Sequence, residues 1–205
     1  MKNTRIIPED FYVQPDVVAL SRALLGKYLF TEIGGKLCGG KIVETEAYSH
    51  FNDKACHSHL QKRTKRTKVM FRRGGVAYVY KIYGMYDLFN IITNEEEKAD
   101  AVLVRAIEPT EGQEYMMKRR NIPNPLSFRL TAGPGMLSQA LGISRDLYGL
   151  PLTTGEAIWL EDHDEPVDDE DVLASPRVGI DYAQEDALLP WRFRVKSSPW
   201  TSKAK

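Results

Sequence analysis

The sequence predicts an α+β fold, a single domain built on a curved antiparallel sheet. Three observations predict it. Short β-rich apolar segments follow one another in hairpin order, only three segments carry a helical period, and strands do not alternate regularly with helices. At 205 residues and 42% hydrophobic, the chain is long enough for one sizeable core. It contains no internal repeat.

Each element has a local reason. Pro15 and Asp16 open "PDVVALSRALLG", an amphipathic helix with Gly26 near its C-cap. "KYLFTEIGGKLCGGKIVETEAY" reads as two strands around a turn at Gly34–Gly35. Beyond a basic loop come strands at "VAYVYKIY" (76–83), "LFNIIT" (88–93) and "AVLVRAI" (101–107), separated by turns at Gly84 and Asn94–Lys98. "TEGQEYMMKRR" (110–120) reads as a helix, followed by a loop broken by Pro123 and Pro125. "GPGMLSQALG" (133–142) is another short helix with Gly and Pro at its start. "AIWLED" (157–162), "RVGI" (177–180) and "WRFRV" (191–195) finish as strands. The ending, from about residue 198 and beyond Trp200, is expected to fray.

The formal net charge is zero, but the average hides an asymmetry. Residues 1–120 carry 20 Lys/Arg against 15 Asp/Glu, so the remaining 85 carry 8 against 13. "QKRTKRTKVMFRR" (61–73) holds seven basic residues and no acid, whereas "EDHDEPVDDED" (161–171) holds eight acids and no Lys or Arg. Two solvated loops would account for this pattern, and so would one localised anion-binding face. No apolar run approaches the roughly 20 residues that span a bilayer. The first residues, "MKNTRIIPEDFYVQPD", lack the apolar stretch of a secretory signal. With only Cys38 and Cys56, a reducing cytoplasm is the expected location.

Several chemistries lack their signatures. There is no glycine-rich phosphate loop, no dinucleotide fingerprint and no zinc-deaminase pattern. "ACHSH" (55–59) offers Cys56, His57 and His59, but one short cluster without a second ligand pair is poor zinc evidence. No metal and no cofactor is expected. "KIVETEAY" (41–48) is more informative, because a strand points alternate side chains to opposite faces. Glu44, Glu46 and Tyr48 share one face, the two acids roughly 7 Å apart. Arg105, inside an apolar strand, is the candidate cation between them. Such a group either ties two strands together or holds a carboxylate ready to activate water. Tyr78, Tyr80, Tyr83, Tyr86 and Phe89 crowd one hairpin, with Tyr83 and Tyr86 flanking the Gly84 turn. Turns usually carry small polar residues, and exposed aromatics beside a basic loop suit a base-stacking surface.

"KIVETEAY", "ACHS", "VMF", "YVYKIYGMYDLFNI", "VLVRAIEP", "AGPGMLSQALGI" and "RFRVKSSPW" occur in the order and spacing of one family. The chain closely resembles the alkyladenine (3-methyladenine) DNA glycosylases of the human type, from roughly residue 10 to 202. The resemblance implies a single α+β domain, an open-barrel-like sheet with peripheral helices, working as a monomer without metal or cofactor. It implies base excision repair of duplex DNA containing damaged purines, whose N-glycosidic bond is hydrolysed after the nucleotide is flipped out. Glu46 matches the residue that activates water, Arg105 the arginine that helps hold it, and Val178 the matching main-chain carbonyl. Tyr48, His57 and Tyr80 match the pocket around the flipped base, Tyr83 the side chain that fills the vacated space, and Asn90 the residue that rejects guanine. Lys62, Thr64 and Arg66 match the contacts to the DNA backbone, while Glu44 reads as a supporting acid. Two departures bear on backbone grip: Thr67 follows Arg66 where the family usually has Asn, and Met136 stands where many members carry Lys. The competing readings are a lesion-binding module that does not cut and a metal-dependent enzyme using Cys56, His57 and His59.

Overall fold

The computed structural model describes residues 5–124 and 127–203, so Pro125 lies outside the described residues. A single helical turn, α1 (Glu9–Tyr12), precedes α2 (Val17–Ala23). Asp16 caps α2 by accepting from the amides of Val18 and Ala19 at 3.0 and 2.9 Å. Strands β1 (Tyr28–Glu32) and β2 (Leu37–Tyr48) form the first hairpin around Gly34–Gly35. Strands β3 (Val76–Ile82), β4 (Tyr86–Thr93) and β5 (Asp100–Glu111) follow as a meander. Helices α3 (Gln113–Arg120) and α4 (Pro134–Leu141) precede the short strands β6 (Ile158–Glu161), β7 (Val172–Ser175) and β8 (Arg192–Val195).

All eight strands join one open antiparallel sheet, in the order β3-β4-β5-β2-β1-β6, with β8 pairing both β2 and β7. The fold is α+β, as the hairpin order predicts. Strand β2 is its hub. One edge of β2 pairs with β5, while the other pairs with β1 along Leu37–Lys41 and with β8 along Glu44–Glu46.

The β2–β5 ladder carries three register shifts, one at Gly39/Gly40 and two further along that compensate each other. Ile42 faces Ile107 and Glu44 faces Ala106, which leaves Val43 as an extra residue on β2; Thr45 then faces Val104, which leaves Arg105 extra on β5. Such bulges re-aim a side chain without ending a strand. Alternation divides the remaining residues between two faces. Val102, Val104 and Ala106 of β5 join Phe89, Ile91, Ala77 and Val79 in the main core, where Leu24, Met116, Leu137 and Leu141 cover them from the helical side. The alternate residues Tyr78, Asn90, Ala101 and Leu103 border a cavity on the other face, above a smaller cluster that includes Met70, Phe71 and Ile92.

Three sequence expectations need correction. Residues 177–180 are not a strand: Gly179 has φ 73°, and the Val178 amide donates to the Glu46 side chain instead of a ladder. The strand of that region is β7, only four residues long, at the end of the acidic stretch. Residues 110 and 111 continue β5, where Glu111 pairs with Gly39, and α3 starts only at Gln113 after left-handed Gly112. The ending is held as far as Ser202, and residues 204 and 205 lie outside the described residues. Trp200 and Ser202 are buried, and the Ser202 amide donates to Glu44 at 2.5 Å.

Candidate active site

A cavity of about 1180 Å³ opens between the β3–β4 hairpin, the loop before α4 and the 177–182 segment. It is floored by strands and walled by aromatic rings. Tyr78 and Tyr80, two apart on β3, project from the same face with ring centroids 5.3 Å apart. His57 meets Tyr80 edge-on at 4.7 Å, and its Nδ1 shares a 2.9 Å hydrogen bond with the Tyr78 hydroxyl. Burial, with the positive charges of Arg66 and Lys62, pushes the His57 pKa down to about 4. The imidazole is therefore neutral at pH 7.

Glu46 is fully buried beside this cavity. Its Oε1 accepts from the Val178 amide at 2.8 Å and faces Arg105 Nη1 at 3.2 Å, while Oε2 accepts from the Tyr48 hydroxyl at 2.7 Å. Burial, then the adjacent Glu46 charge, hold the Tyr48 pKa well above that of a free phenol, which keeps the hydroxyl a donor. The strand reading of Glu44, Glu46 and Tyr48 on one face is thus correct in its geometry: Tyr48 reaches Glu46, and Arg105 lies between Glu44 and Glu46. Arg105 Nε donates to Glu44 Oε1 at 2.7 Å. Burial opposes the Arg105 charge, but Glu46 and Glu44 outweigh it and raise the guanidinium pKa. Burial would likewise raise Glu44, yet Arg105, the Ser202 amide and Arg192 bring it below its ordinary value.

Val178 reaches Glu46 through its amide, and a residue the sequence did not single out fixes it there. Arg177 is buried and forks onto Asp53, with Nη1–Oδ2 at 2.6 Å and Nη2–Oδ1 at 2.8 Å. It also donates to the Ala47 carbonyl and lies 4.8 Å from the centre of the Tyr48 ring. One arginine therefore anchors both the 177–180 loop and the Tyr48 ring. The neighbouring Val178 was its only signal in sequence. Asn90 is buried, borders the cavity, and donates from Nδ2 to the carbonyls of Tyr78 and Leu88 at 3.3 and 3.5 Å.

The rim carries the remaining candidates. Tyr83 is 81% exposed at the β3–β4 turn, where φ is positive at both Tyr83 (51°) and Gly84 (70°). Opposite it, α4 comes so close that a Cβ on Gly135 would lie 2.8 Å from the Tyr86 ring. Of the basic-loop residues, Arg66 borders the cavity, 5.7 Å from the Tyr80 ring centre. Lys62 and Thr64 are exposed further along the loop. Thr67 is buried and internal: its hydroxyl donates to the Lys62 carbonyl at 2.7 Å and accepts from the Thr64 amide at 2.9 Å. Arg120, Arg129 and Met136 border the cavity on the far side.

Cys56, His57 and His59 are not gathered into one site. Cys56 Sγ contacts Ser58 Oγ at 3.0 Å and the Ala99 carbonyl, and burial pushes its pKa up to about 12. Among the described residues, no three side chains are grouped to hold a metal ion.

The methylpurine-DNA glycosylase (MPG) family profile matches residues 10–199. The chain belongs to that family. It is a monofunctional DNA glycosylase, an enzyme of DNA repair. Proteins named "putative 3-methyladenine DNA glycosylase" match over nearly their whole length. The Chlamydia felis protein is 41% identical, covering 92% of this chain and 95% of its own. Those of Methanocella arvoryzae and Bacillus licheniformis are 42% and 41% identical, the former covering 97% of this chain and 96% of its own, the latter 96% of each. In the glycosylase, no described helix is long and apolar enough to cross a membrane.

Proposed function

We propose that this glycosylase flips alkylated or deaminated purines, such as 3-methyladenine, hypoxanthine and ethenoadenine, out of duplex DNA and hydrolyses their N-glycosidic bonds. One observation carries the reading: a fully buried carboxylate, Glu46, oriented through both oxygens, beside an aromatic-walled cavity. Water attacks the sugar C1′ and gives its proton to Glu46, while the C1′–N bond breaks and its electron pair leaves with the base. A purine alkylated on a ring nitrogen, such as 3-methyladenine, is already cationic and departs neutral. Hypoxanthine and ethenoadenine are neutral, depart with the electron pair as anions and take up a proton from solvent. Arg105 and the Val178 carbonyl hold the water. Tyr48, His57 and Tyr80 enclose the base, and a neutral His57 does not repel a cationic purine. Each base–aromatic stack contributes roughly 1–3 kcal/mol, enough to offset the few kcal/mol that flipping costs. Tyr83 fills the space left in the duplex, and Lys62, Thr64 and Arg66 hold the backbone. The protein acts as a monomer, and its two cysteines suit a reducing cytoplasm, with access to DNA.

The test is release of an abasic site, revealed by alkali, from duplexes carrying one of these lesions. Glu46→Gln should slow single-turnover excision by about 10²–10⁴-fold while lesion-duplex binding persists. A variant within tenfold of the wild-type rate sinks the assignment.

A further inference from the structure

Behind the Glu46 carboxylate, the segment that follows β8 returns to the centre of the sheet. Ser202 is 6% exposed there, and every hydrogen-bonding site of its hydroxyl is used. The O–H donates to Glu44 Oε1 at 2.8 Å, and the oxygen accepts from Arg105 Nη2 at 3.4 Å and Arg192 Nη2 at 3.2 Å. The Ser202 amide takes the other Glu44 oxygen. Arg192 Nε joins Arg105 Nε on Glu44 Oε1, at 2.8 and 2.7 Å. Two carboxylates thus face two guanidiniums in a buried, formally neutral group, with a serine at its centre.

Stability alone is a weak reason for such a group, since well-packed apolar residues often stabilise a core as much as a buried ion network does. Geometry is a better one. Arg105 is the extra residue of the β5 bulge, so its backbone is not held by the regular ladder at that point. Its long side chain has many rotamers, and three separate nitrogens fix one of them: Nε on Glu44, Nη2 on Ser202 and Nη1 on Glu46.

We propose that Ser202, acting with Glu44, is a positioning residue that fixes the Arg105 guanidinium and so aims Nη1 at Glu46. The inference rests on the role given to Arg105 above. Ser202 does not border the cavity. It removes the alternative in which Arg105 swings wholly onto Glu44, leaving Glu46 without its cationic neighbour.

The test compares Ser202→Ala, Ser202→Thr, Arg105→Ala and the Ser202→Ala/Arg105→Ala double variant. Single-turnover excision, affinity for the same hypoxanthine duplex and thermal midpoint are measured for each. Ser202→Ala keeps the backbone amide on Glu44 and should slow excision by roughly 10–100-fold, with affinity within about twofold of wild type. Ser202→Thr restores the hydroxyl and should recover most of the rate. On the Arg105→Ala background, Ser202→Ala should slow excision no further. A wild-type rate in Ser202→Ala overturns the inference, as does an equal slowing on both backgrounds or no recovery in Ser202→Thr. Should Ser202→Ala not fold, Ser202→Cys takes its place under the same outcomes. If Arg105→Ala itself excises at the wild-type rate, the role of Arg105 fails first; if it is impaired and Ser202→Ala is not, only the present inference fails.

Discussion

His57 shows how one side chain can serve a pocket and weaken the fold in acid. Its pKa is about 4 in the folded protein and near 6.5 when the chain is open, so between these values the unfolded state binds more protons. The stability linked to His57 is complete above pH 6.5 and is lost as pH falls through 4. His57→Gln, which cannot titrate, should narrow the difference between urea midpoints at pH 7 and pH 4.5. Asn90 makes a different demand. Its amide nitrogen is satisfied by two carbonyls, so the apolar surroundings in the sequence do not signal an orphaned polar group. Guanine differs from adenine and hypoxanthine by an amino group on its minor-groove edge. Asn90→Ser should therefore raise release of normal guanine relative to hypoxanthine, measured on duplexes differing only at the target base. Equal slowing of both would make Asn90 structural.

The β3–β4 hairpin holds Tyr83 at φ 51°, a region costly to a bulky side chain by about 1 kcal/mol. Tyr83→Gly relieves that strain, and the unfolded-state entropy of glycine offsets it by about 0.5–1 kcal/mol. Unfolding free energy should thus stay within about 1 kcal/mol of wild type, while affinity for lesion duplexes falls; a loss of several kcal/mol would place Tyr83 in the core. For the basic loop, Lys62→Ala with Arg66→Ala should flatten the plot of log affinity against log salt by about 1.8, or 0.9 per lost phosphate contact. Met136→Lys should steepen it by about 0.9. Strand β2 and the face that carries Glu46 and Tyr48 were legible because period-two alternation survives translation into structure, as the hydrogen bond between these two side chains demonstrates. The 177–180 loop was not legible. "RVGI" has strand composition, but its conformation is set by bonds from Arg177 to Asp53 and from Val178 to Glu46, each more than 120 residues apart in sequence. Ser202 left no local trace for the same reason.

Across the whole molecule, the two charge runs have separate fates. Asp162, Glu165 and Asp169 of the acidic stretch pair with Lys27, Lys41 and Arg22, and no residue of that stretch borders the cavity. The groove thus stays electropositive in a chain of zero net charge. The hub strand β2 sets a further condition. Its Thr45 and Glu46 lie between β5 and β8, so their surroundings cannot open while either neighbour stays paired. Amide hydrogens there should exchange with deuterium only when the entire domain unfolds, and those at Tyr83 and along residues 59–66 through far smaller fluctuations. Deuterium uptake measured with and without lesion duplex should then slow at the rim and hardly alter at Glu46. On that outcome the floor of the pocket is a fixed anvil, and capture of a base falls to motions of the rim and of the DNA.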